Sequence, residues 1–410
     1  RDRRAPAVTR FERLEVGANA AAFACIPFFP SFITLTNVAF PGVSIVPLPL
    51  ALALLCAMLV LALVAIAGIL RPPRYEPVLL RPLLLWLGAC LLSLALGFNL
   101  RDGSVFMLIF ALTVLWHANI DRYYTLPGMA RAIWWAYLLS GTLACLAAIA
   151  MVVTRIPAVQ YTIANGRAVG TFVLPGELAG YLLFFLPIAY ALARTARGGA
   201  LRTLGWTGCA AGLIAMILTF SRTGWVGLAA GIAFWIVLRS NARRARVVQG
   251  IAIVLATVAI VLLTFNEHHN PSENYTRISI WQAALGVIER FPLTGVGPFG
   301  FSKIYPFVRL PDGDPTAFHA HSLYLTFLAE LGIVGFLAFC WVIWSFAREW
   351  FRRFRALPAQ ASLLTSAIAA GVVGALVQGL IDTVSVVIFG LLLPMLALAL
   401  ATARSGTGDA

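Results

Sequence analysis

The sequence predicts an all-α membrane protein that crosses the bilayer many times. Of its 410 residues, 61% are apolar and only 11% are charged, and the mean hydropathy is +0.90. Apolar stretches of about 20 residues, the length that spans a bilayer as a helix, follow one another along the whole chain. Most charged residues lie in the segments between them. These three observations exclude a soluble enzyme.

Twelve apolar stretches are long enough to cross the membrane as helices. In chain order they lie at 17–38, 44–70, 76–98, 103–120, 129–153, 176–196, 202–220, 224–240, 246–265, 322–346, 361–381 and 383–403. The stretches 202–220 and 224–240 are short and adjoin each other. We expect a tight hairpin between them, because one merged helix would carry the Arg-rich segment 239–246 to the other side of the membrane.

The basic residues indicate how these helices are oriented. Thirty Lys and Arg against sixteen Asp and Glu give a net charge of +14. When both termini are placed in the cytoplasm, 22 of the 30 basic residues fall on the cytoplasmic side, as loop Lys and Arg prefer. The charge therefore indicates orientation in a phospholipid membrane, and we expect no nucleic acid partner. We also expect no cleavable signal, since the first apolar stretch leads into further membrane segments.

The longest connection, 266–320, lies on the outer side between the ninth and tenth spans. Within it, residues 277–291 are predicted to form an amphipathic helix on the membrane surface, because apolar residues recur at helical spacing. These are Ile278, Trp281, Leu285, Ile288 and Phe291. The PLTGVGPFGF sequence after it is typical of a shaped loop. We therefore divide the chain into spans one to nine (1–265), a periplasmic loop with part of the site (266–320) and spans ten to twelve (321–410).

Ionisable residues gather toward the outer face. An ion pump or proton relay places such groups through the middle of the membrane, so a one-sided distribution favours a site at the outer boundary. Glu330 is predicted to lie about two helical turns deeper. The residues near outer span ends are Arg167, Glu177, Arg222, Arg277, His319, His321 and Asp382.

Arg222 occupies the tight connection SRTG. Ser221 or Thr223 can cap the helix that follows, and the free N–H groups and dipole of that helix start favour an anion. An arginine fork added there would make a diphosphate clamp. A solvated or headgroup-facing position is a sufficient explanation for four other outer arginines. These are Arg101, Arg155, Arg290 and Arg309.

His319 and His321, in the sequence FHAHS, lie where the tenth span begins. Either can be an ordinary polar residue, and with Asp312 and Asp314 they could also be drawn as a metal site. The PDGDP sequence is explained as a turn, however, and the six cysteines sit singly without a CxxC pair. We therefore predict no metal and no cofactor.

The spacing of His321, Ser322, Gly332 and Gly335 resembles the H-[N/S/Q]-x9-G-x-x-[G/T/Y] motif of the bacterial O-antigen ligase family. We expect the two glycines to serve close helix packing. Three more segments resemble that family in the same order: RAVGTFVLPGELAGYL from Arg167, SRTGW at 221–225, and RISIW from Arg277 with FPLTGVGPFGF after it. The motifs cover roughly residues 160–345.

The resemblance implies a glycosyltransferase of GT-C-like architecture in the bacterial inner membrane. Such an enzyme transfers a glycan from undecaprenyl diphosphate to lipid A-core at the periplasmic face, with inversion and without a required metal. Wzy-type O-antigen polymerases share the motifs and stay an alternative. Protein O-oligosaccharyltransferases usually carry a further C-terminal region, whereas this chain ends seven residues after its last predicted span. A lipid-linked glycan transporter is expected to show paired repeats and midplane charge, and neither is visible.

The resemblance also implies roles for individual residues. Arg222 and Arg277, with Arg167, are expected to bind the diphosphate and stabilise the charge that develops on it. His321 is expected to take the proton of the acceptor hydroxyl. Three more residues are expected to contact the substrates: Trp281, His319 and Asp382. The last of these can instead orient the catalytic histidine or cap a helix.

Overall fold

The protein folds into a bundle of α-helices. The computed structural model describes residues 10–28, 62, 77–239, 243–264, 272–311, 313, 314, 317–383 and 387–405. No β-strand occurs among these residues, which confirms the all-α prediction for this part of the chain. A 3₁₀ turn at Ile26–Phe28 follows the first helix, and a π-helical turn at Val387–Leu392 precedes the last.

The described residues form fourteen α-helices, numbered here in chain order. They are α1 (Arg10–Cys25), α2 (Leu80–Leu96), α3 (Leu100–Tyr123), α4 (Met129–Thr154), α5 (Ala158–Ile163), α6 (Pro175–Thr195), α7 (Gly199–Leu218), α8 (Arg222–Leu238), α9 (Arg243–Thr264), α10 (Ser272–Arg290), α11 (Phe301–Val308), α12 (Leu323–Phe354), α13 (Ser362–Gln378) and α14 (Leu393–Ser405).

Five of these helices, α3, α4, α6, α7 and α12, are long and apolar enough to cross a membrane. Shorter apolar helices fall in other predicted spans, among them α2, α8 and α13. The first predicted span, 17–38, is helical as far as Phe28, and the second, 44–70, lies outside the described residues except for Ala62. The protein is thus a membrane protein, while the count of twelve spans and their orientation stay predictions.

The helix α6 lies at the centre of the bundle. It packs against α7, α8 and α13, and 15 of its 21 residues are buried. A helix that is apolar on every side is buried on every side, which fits the sequence LAGYLLFFLPIAYALA within it. Because α6 is enclosed, its first turn at 175–177 is held in the middle of one end of the bundle.

The contact between α8 and α13 depends on small residues. A Cβ atom at Gly227 would lie 2.7 Å from the carbonyl oxygen of Gly374, and one at Gly231 would lie 2.5 Å from that of Ala370. Two membrane helices approach this closely only where side chains are absent or very small. The start of α8 and the end of α13 are therefore fixed relative to each other.

The longest helix, α12, is interrupted at Gly332, where φ is 63° and ψ is −172°. A Cβ atom there would collide with the backbone of Leu293, so Gly332 forms a helix break and does not serve the helix packing that we expected. The segment 292–297 fills the break and pairs with the backbone groups that it exposes, as an apolar environment requires. The bonds are Val296 N to Ala329 O at 3.0 Å, Gly297 N to Glu330 O at 2.9 Å and Ile333 N to Pro292 O at 2.9 Å.

The helix α10 confirms the predicted helix, and a second face of it packs against the protein. Its buried residues are Ser279, Ile280, Ala283, Ala284 and Val287, and several of them pack on α11. Two residues of the predicted apolar face, Ile278 and Leu285, are each 51% exposed. The helix thus carries two apolar stripes, and the one with the smaller residues allows the closer approach.

Candidate active site

A cavity of about 150 Å³ collects the ionisable residues that the sequence placed at the outer face. It lies beside the first turns of α6 and α8 and just before the start of α12. Six of the seven predicted site residues line it; the seventh, Trp281, does not. The ionisable residues of the lining are Arg167, Glu177, Arg222, Arg277, His319, His321 and Asp382.

Arg222 is the first residue of α8, in the tight hairpin that the charge pattern predicted. The chain reverses between Leu218, the last residue of α7, and Ser221, the N-cap of α8. The hydroxyl oxygen of Ser221 accepts the N–H of Gly224 at 3.2 Å, which confirms that Ser221 can cap this helix. Arg222 therefore stands at a helix N-terminus, where the helix dipole adds to its positive charge.

Arg167 reaches the cavity from the segment between α5 and α6. Its Nε donates a hydrogen bond to the carbonyl oxygen of Thr219 at 2.9 Å, and the N–H of the next residue, Ala168, bonds to Leu218 at 2.8 Å. These two bonds join the segment to the end of α7. Arg167 and Arg222 thus share one rigid support, although 55 positions separate them in the sequence.

Arg277 enters the cavity from the opposite side, on α10. Its Nη1 lies 3.5 Å from the carbonyl oxygen of Ile381, just after α13. The guanidinium is therefore placed next to Asp382, which follows Ile381 in the chain and also lines the cavity. Trp281 lies about one turn further along α10, partly buried, with its indole nitrogen enclosed.

His321 has a left-handed backbone conformation with φ of 47°, which is rare for a residue other than glycine. Its backbone N–H donates to Nδ1 of His319 at 3.0 Å, and the two rings lie 4.3 Å apart. His319 is only 8% exposed. Burial above all, and then the electrostatic effects of the neighbouring His321 and Arg277, lower the pKa of His319 well below its usual value. The neutral ring of His319 therefore keeps Nδ1 as an acceptor and holds the backbone of His321.

Asp382 approaches His321 from the segment after α13. Its Oδ1 lies 3.9 Å from Nδ1 of His321 and accepts the N–H of Thr383 at 2.9 Å. A Cβ atom at Gly176 would lie 2.9 Å from Oδ2, so the glycine at the start of α6 makes room for this carboxylate. The hydroxyl of Thr383 lies 3.1 Å from that of Thr326, which ties the segment to α12.

Glu177 also lines the cavity, but its carboxylate is used for capping. Oε2 accepts the N–H groups of Val173 at 3.2 Å and Leu174 at 3.4 Å, at the start of α6. A carboxylate at the third position of a helix commonly bonds back in this way. Glu330 lies in a different and smaller cavity, where its Oε1 is 3.4 Å from the N–H of Phe301.

The arrangement suits a ligand with several negative charges. Three guanidinium groups face two carboxylates, and one of those carboxylates already caps a helix. Arginine forks bind phosphate oxygens in pairs, and the helix start at Ser221 adds partial positive charge. His321 and Asp382 lie beside these arginines, so a proton acceptor stands next to the anion-binding groups.

Several supporting residues are absent from the sequence prediction. Gly176, Thr326 and Thr383 all position Asp382, yet the sequence assigned a role in the site to none of them. Spacing cannot reveal them, because they meet only when α6, α12 and the end of α13 come together.

The described residues contain no group of three or more His, Cys, Asp and Glu side chains placed to hold a metal ion. Of the four residues drawn as an alternative metal site, His319 and His321 line the cavity. Asp314 is described but is absent from the cavity lining, and Asp312 lies outside the described residues. Among the cysteines of the described ranges, Cys25, Cys90, Cys145, Cys209 and Cys340 are free thiols.

Residues 207–340 match a family model described as O-antigen ligase. The match runs from α7 into α12, so it includes Arg222, Arg277 and His321, while Arg167 and Asp382 lie outside it. No curated protein matches the chain. The family consists of glycosyltransferase-like enzymes that act on lipid-linked glycans. The match confirms the resemblance seen in the sequence motifs for residues 207–340, which form an O-antigen ligase family domain.

Proposed function

We propose that the protein is an O-antigen ligase that transfers a glycan from undecaprenyl diphosphate to lipid A-core at the periplasmic face of the bacterial inner membrane. The observation that carries this proposal is the meeting of Arg167, Arg222 and Arg277 with His321 in one cavity. A diphosphate-linked sugar needs its departing charge stabilised and a proton removed from the attacking hydroxyl. The cavity supplies groups for both needs.

The donor diphosphate would lie among the three arginines. Arg167 and Arg222 come from the α7–α8 side and Arg277 from α10, so the guanidinium groups approach an anion from two directions. As the bond from the anomeric carbon to the diphosphate oxygen breaks, negative charge grows on that oxygen. Arginine stays protonated throughout, so this charge is stabilised without a proton transfer to the leaving group.

His321 would act as the general base through Nε2. Its Nδ1 faces Asp382 at 3.9 Å, and a proton held there leaves the Nε2 lone pair for the acceptor hydroxyl. The acceptor oxygen bonds to the anomeric carbon, its proton passes to Nε2, and undecaprenyl diphosphate leaves with the bonding electron pair. Attack opposite the leaving group inverts the anomeric centre. Asp382 serves as the positioning residue for the ring.

His319 would shape the site, because its Nδ1 is already engaged by the backbone N–H of His321. Contact of His319 with a substrate would have to come through Nε2. Trp281 lies about one turn from Arg277 on α10 but does not line the cavity. We therefore propose that Trp281 contacts the glycan and not the diphosphate.

The test is glycan transfer by the purified full chain in proteoliposomes, with undecaprenyl-diphosphate-linked glycan, lipid A-core and EDTA present. Arg277→Ala should lower kcat by at least about 100-fold, because a group that stabilises the developing charge is lost. Arg290→Ala is the matched control, since Arg290 is exposed on the same helix and does not line the cavity. His321→Ala should abolish transfer.

Each other outcome contradicts a defined part of the proposal. Lengthening of the glycan on its donor would show a polymerase, and movement of the donor across the bilayer without transfer would show a transporter. Full activity of His321→Ala would overturn its role as base. Loss of parental activity in EDTA would show that a metal is required.

A further inference from the structure

A second groove lies at the other end of α12, against the beginning of α2. Its volume is about 560 Å³. It is unrelated to the candidate active site, and no residue lines both. The charged and aromatic part of its lining consists of Arg81, Trp341, Trp344, Arg348, Glu349 and Arg352.

The groove lies one membrane thickness away from the candidate active site. From Ser322, the N-cap of α12, a rise of 1.5 Å per residue places Trp344 about 33 Å away and Arg348 about 39 Å away. The hydrocarbon core of a bilayer is about 30 Å thick and the whole bilayer about 40–45 Å. With Ser322 at one boundary, the tryptophans reach the opposite boundary and the arginines reach its headgroups.

Two helices build the groove because α2 and α12 run antiparallel. The ring of Trp86 lies 5.2 Å from that of Phe339, and the hydroxyl of Ser93 bonds to the carbonyl oxygen of Glu330 at 2.6 Å. Continuing this register toward the start of α2 brings Arg81 beside Trp344. Arginines from separate helices thus face one space.

The groove carries a net positive charge. Among the described residues that line it, the carboxylate is that of Glu349, which is bound by Arg352 through two bonds of 2.6 and 2.8 Å and by Arg353 at 2.6 Å. Within the part of the chain that the structure describes, Arg348 has no hydrogen bond or ion pair. Arg81 and Arg348 are both exposed, so their guanidinium groups can reach a ligand that enters the groove.

The exposed tryptophans of the groove indicate a second property of its ligand, an apolar part. Trp341 is 49% exposed and Trp344 is 67% exposed, both on the face of α12 that carries Arg348. Tryptophan prefers the boundary between hydrocarbon and headgroups, where its ring is apolar and its N–H reaches water or a headgroup. A soluble anion would use the arginines and leave these rings without a partner, whereas a lipid would use both.

We infer that this groove binds the headgroup of an anionic phospholipid from the membrane leaflet opposite the candidate active site. The phosphate lies between Arg81 and Arg348, and the glycerol and upper acyl chains pack on Trp341 and Trp344. Arginine supplies paired donors to phosphate oxygens, and the negative headgroup balances the excess positive charge. The lipid would join α2 to the end of α12.

The test is binding of phosphatidylglycerol to the purified full chain in detergent, with bound lipid counted by native mass spectrometry over a lipid titration. Arg81→Gln and Arg348→Gln should each weaken binding about fivefold, as one arginine near a charged headgroup contributes about 1 kcal/mol. The double variant should lose more than either single variant, by an amount that departs from the product of the two single losses because both arginines hold the same phosphate. Arg348→Lys should keep most of the affinity.

Arg131→Gln is the matched control, because Arg131 is exposed in the first turn of α4 and does not line the groove. It should leave binding unchanged. Equal weakening by Arg131→Gln would show attraction by net charge alone and overturn the proposal. Unchanged binding in the double variant would also overturn it, as would displacement of the lipid by equimolar inorganic phosphate, which would show a site for a free anion.

Discussion

The rings of His319 and His321 touch, yet their surroundings differ. His319 is 8% exposed and its Nδ1 accepts a backbone N–H, whereas the side chain of His321 is 28% exposed and faces Asp382. Burial disfavours the charged form of the first ring, so its pKa lies well below the usual value. The second ring can meet a substrate while the first maintains its position.

We predict that His319→Asn keeps activity while His319→Leu loses it. An asparagine carbonyl can accept the N–H two residues further on, as Nδ1 of His319 does at 3.0 Å. Leucine cannot, and the left-handed backbone of His321 then lacks this bond. We expect kcat to fall about tenfold for His319→Leu, the worth of about one hydrogen bond, and less than threefold for His319→Asn. The Michaelis constant for the donor should stay unchanged in both.

The measurement is steady-state transfer with each variant, and equal loss in both would show that His319 touches the substrate directly. A pH series on unfolding adds an independent readout. Below pH 6.5 the unfolded His319 takes up a proton that the buried folded ring does not, so stability falls as pH falls. This contribution should be absent from His319→Asn.

At the residue scale, the sequence predicted the ionisable members of the cavity and the cap at Ser221. It did so because charged residues at outer span ends are rare and conspicuous in an apolar chain. It did not predict Gly176 or Thr383, which act only by fitting against Asp382. Trp281, which the sequence also placed in the site, does not line the cavity, and its contact with substrate stays a prediction.

At the scale of the elements, the helix break at Gly332 positions the chain segment that follows α10. The segment 292–297 pairs with α12 through backbone bonds on both sides of the break. This segment also follows the last residue of α10, the helix that carries Arg277. The position of that arginine relative to His321 therefore depends on the break.

We predict that Gly332→Ala distorts the helix break and lowers both stability and the rate of transfer. A residue with a Cβ would adopt φ of 63° and ψ of −172° only with strain of about 1–3 kcal/mol, and its Cβ would also meet the backbone of Leu293. We expect a lower melting temperature in detergent and a loss of kcat of at least about tenfold, since about 1.4 kcal/mol corresponds to tenfold.

The control for this change is Gly286→Ala on α10, where a Cβ would meet no atom within 4 Å. Alanine is the better helix former, so this variant should be as stable as the parent or more so. A parental melting temperature for Gly332→Ala would show that the break is not required.

The sequence predicted the α-helices well because the apolar stretches are long. It could not predict the break, since Gly332 lies within a predicted span, 322–346, that is long enough to cross the membrane as one helix. It did not predict the second, buried stripe of α10, because Ala283 and Ala284 gave a weaker signal than the large apolar residues. Close approach, and not hydrophobicity, decided which stripe is buried.

At the scale of the whole molecule, the site depends on how closely the central helices pack. The helix α8 begins at Arg222, and α13 ends four residues before Asp382. Their contact through Gly227, Gly231 and Gly374 fixes the separation between these two ends.

We predict that Gly231→Leu lowers both stability and activity. Its side chain would meet the carbonyl oxygen of Ala370, because a Cβ there already lies 2.5 Å from it. Overpacking of this kind costs about 1–3 kcal/mol. Thermal unfolding and glycan transfer would be measured on the same preparation.

Gly88→Leu is the control, since Gly88 is exposed on α2 and a Cβ there meets nothing within 4 Å. That variant should match the parent in both assays. Parental values for Gly231→Leu would show that α8 and α13 can separate without damage to the site.

The residues that line the cavity come from distant parts of the chain, since Arg167 and Asp382 are 215 positions apart. Membrane proteins enter the bilayer from the N-terminus as they are synthesised, and the last wall of the cavity follows α13. A chain released before that point would already hold all three arginines but would lack the carboxylate beside His321. It would also lack the close contact with α13 that fixes the start of α8. The site is therefore expected to assemble only after α13 has packed against α6 and α8.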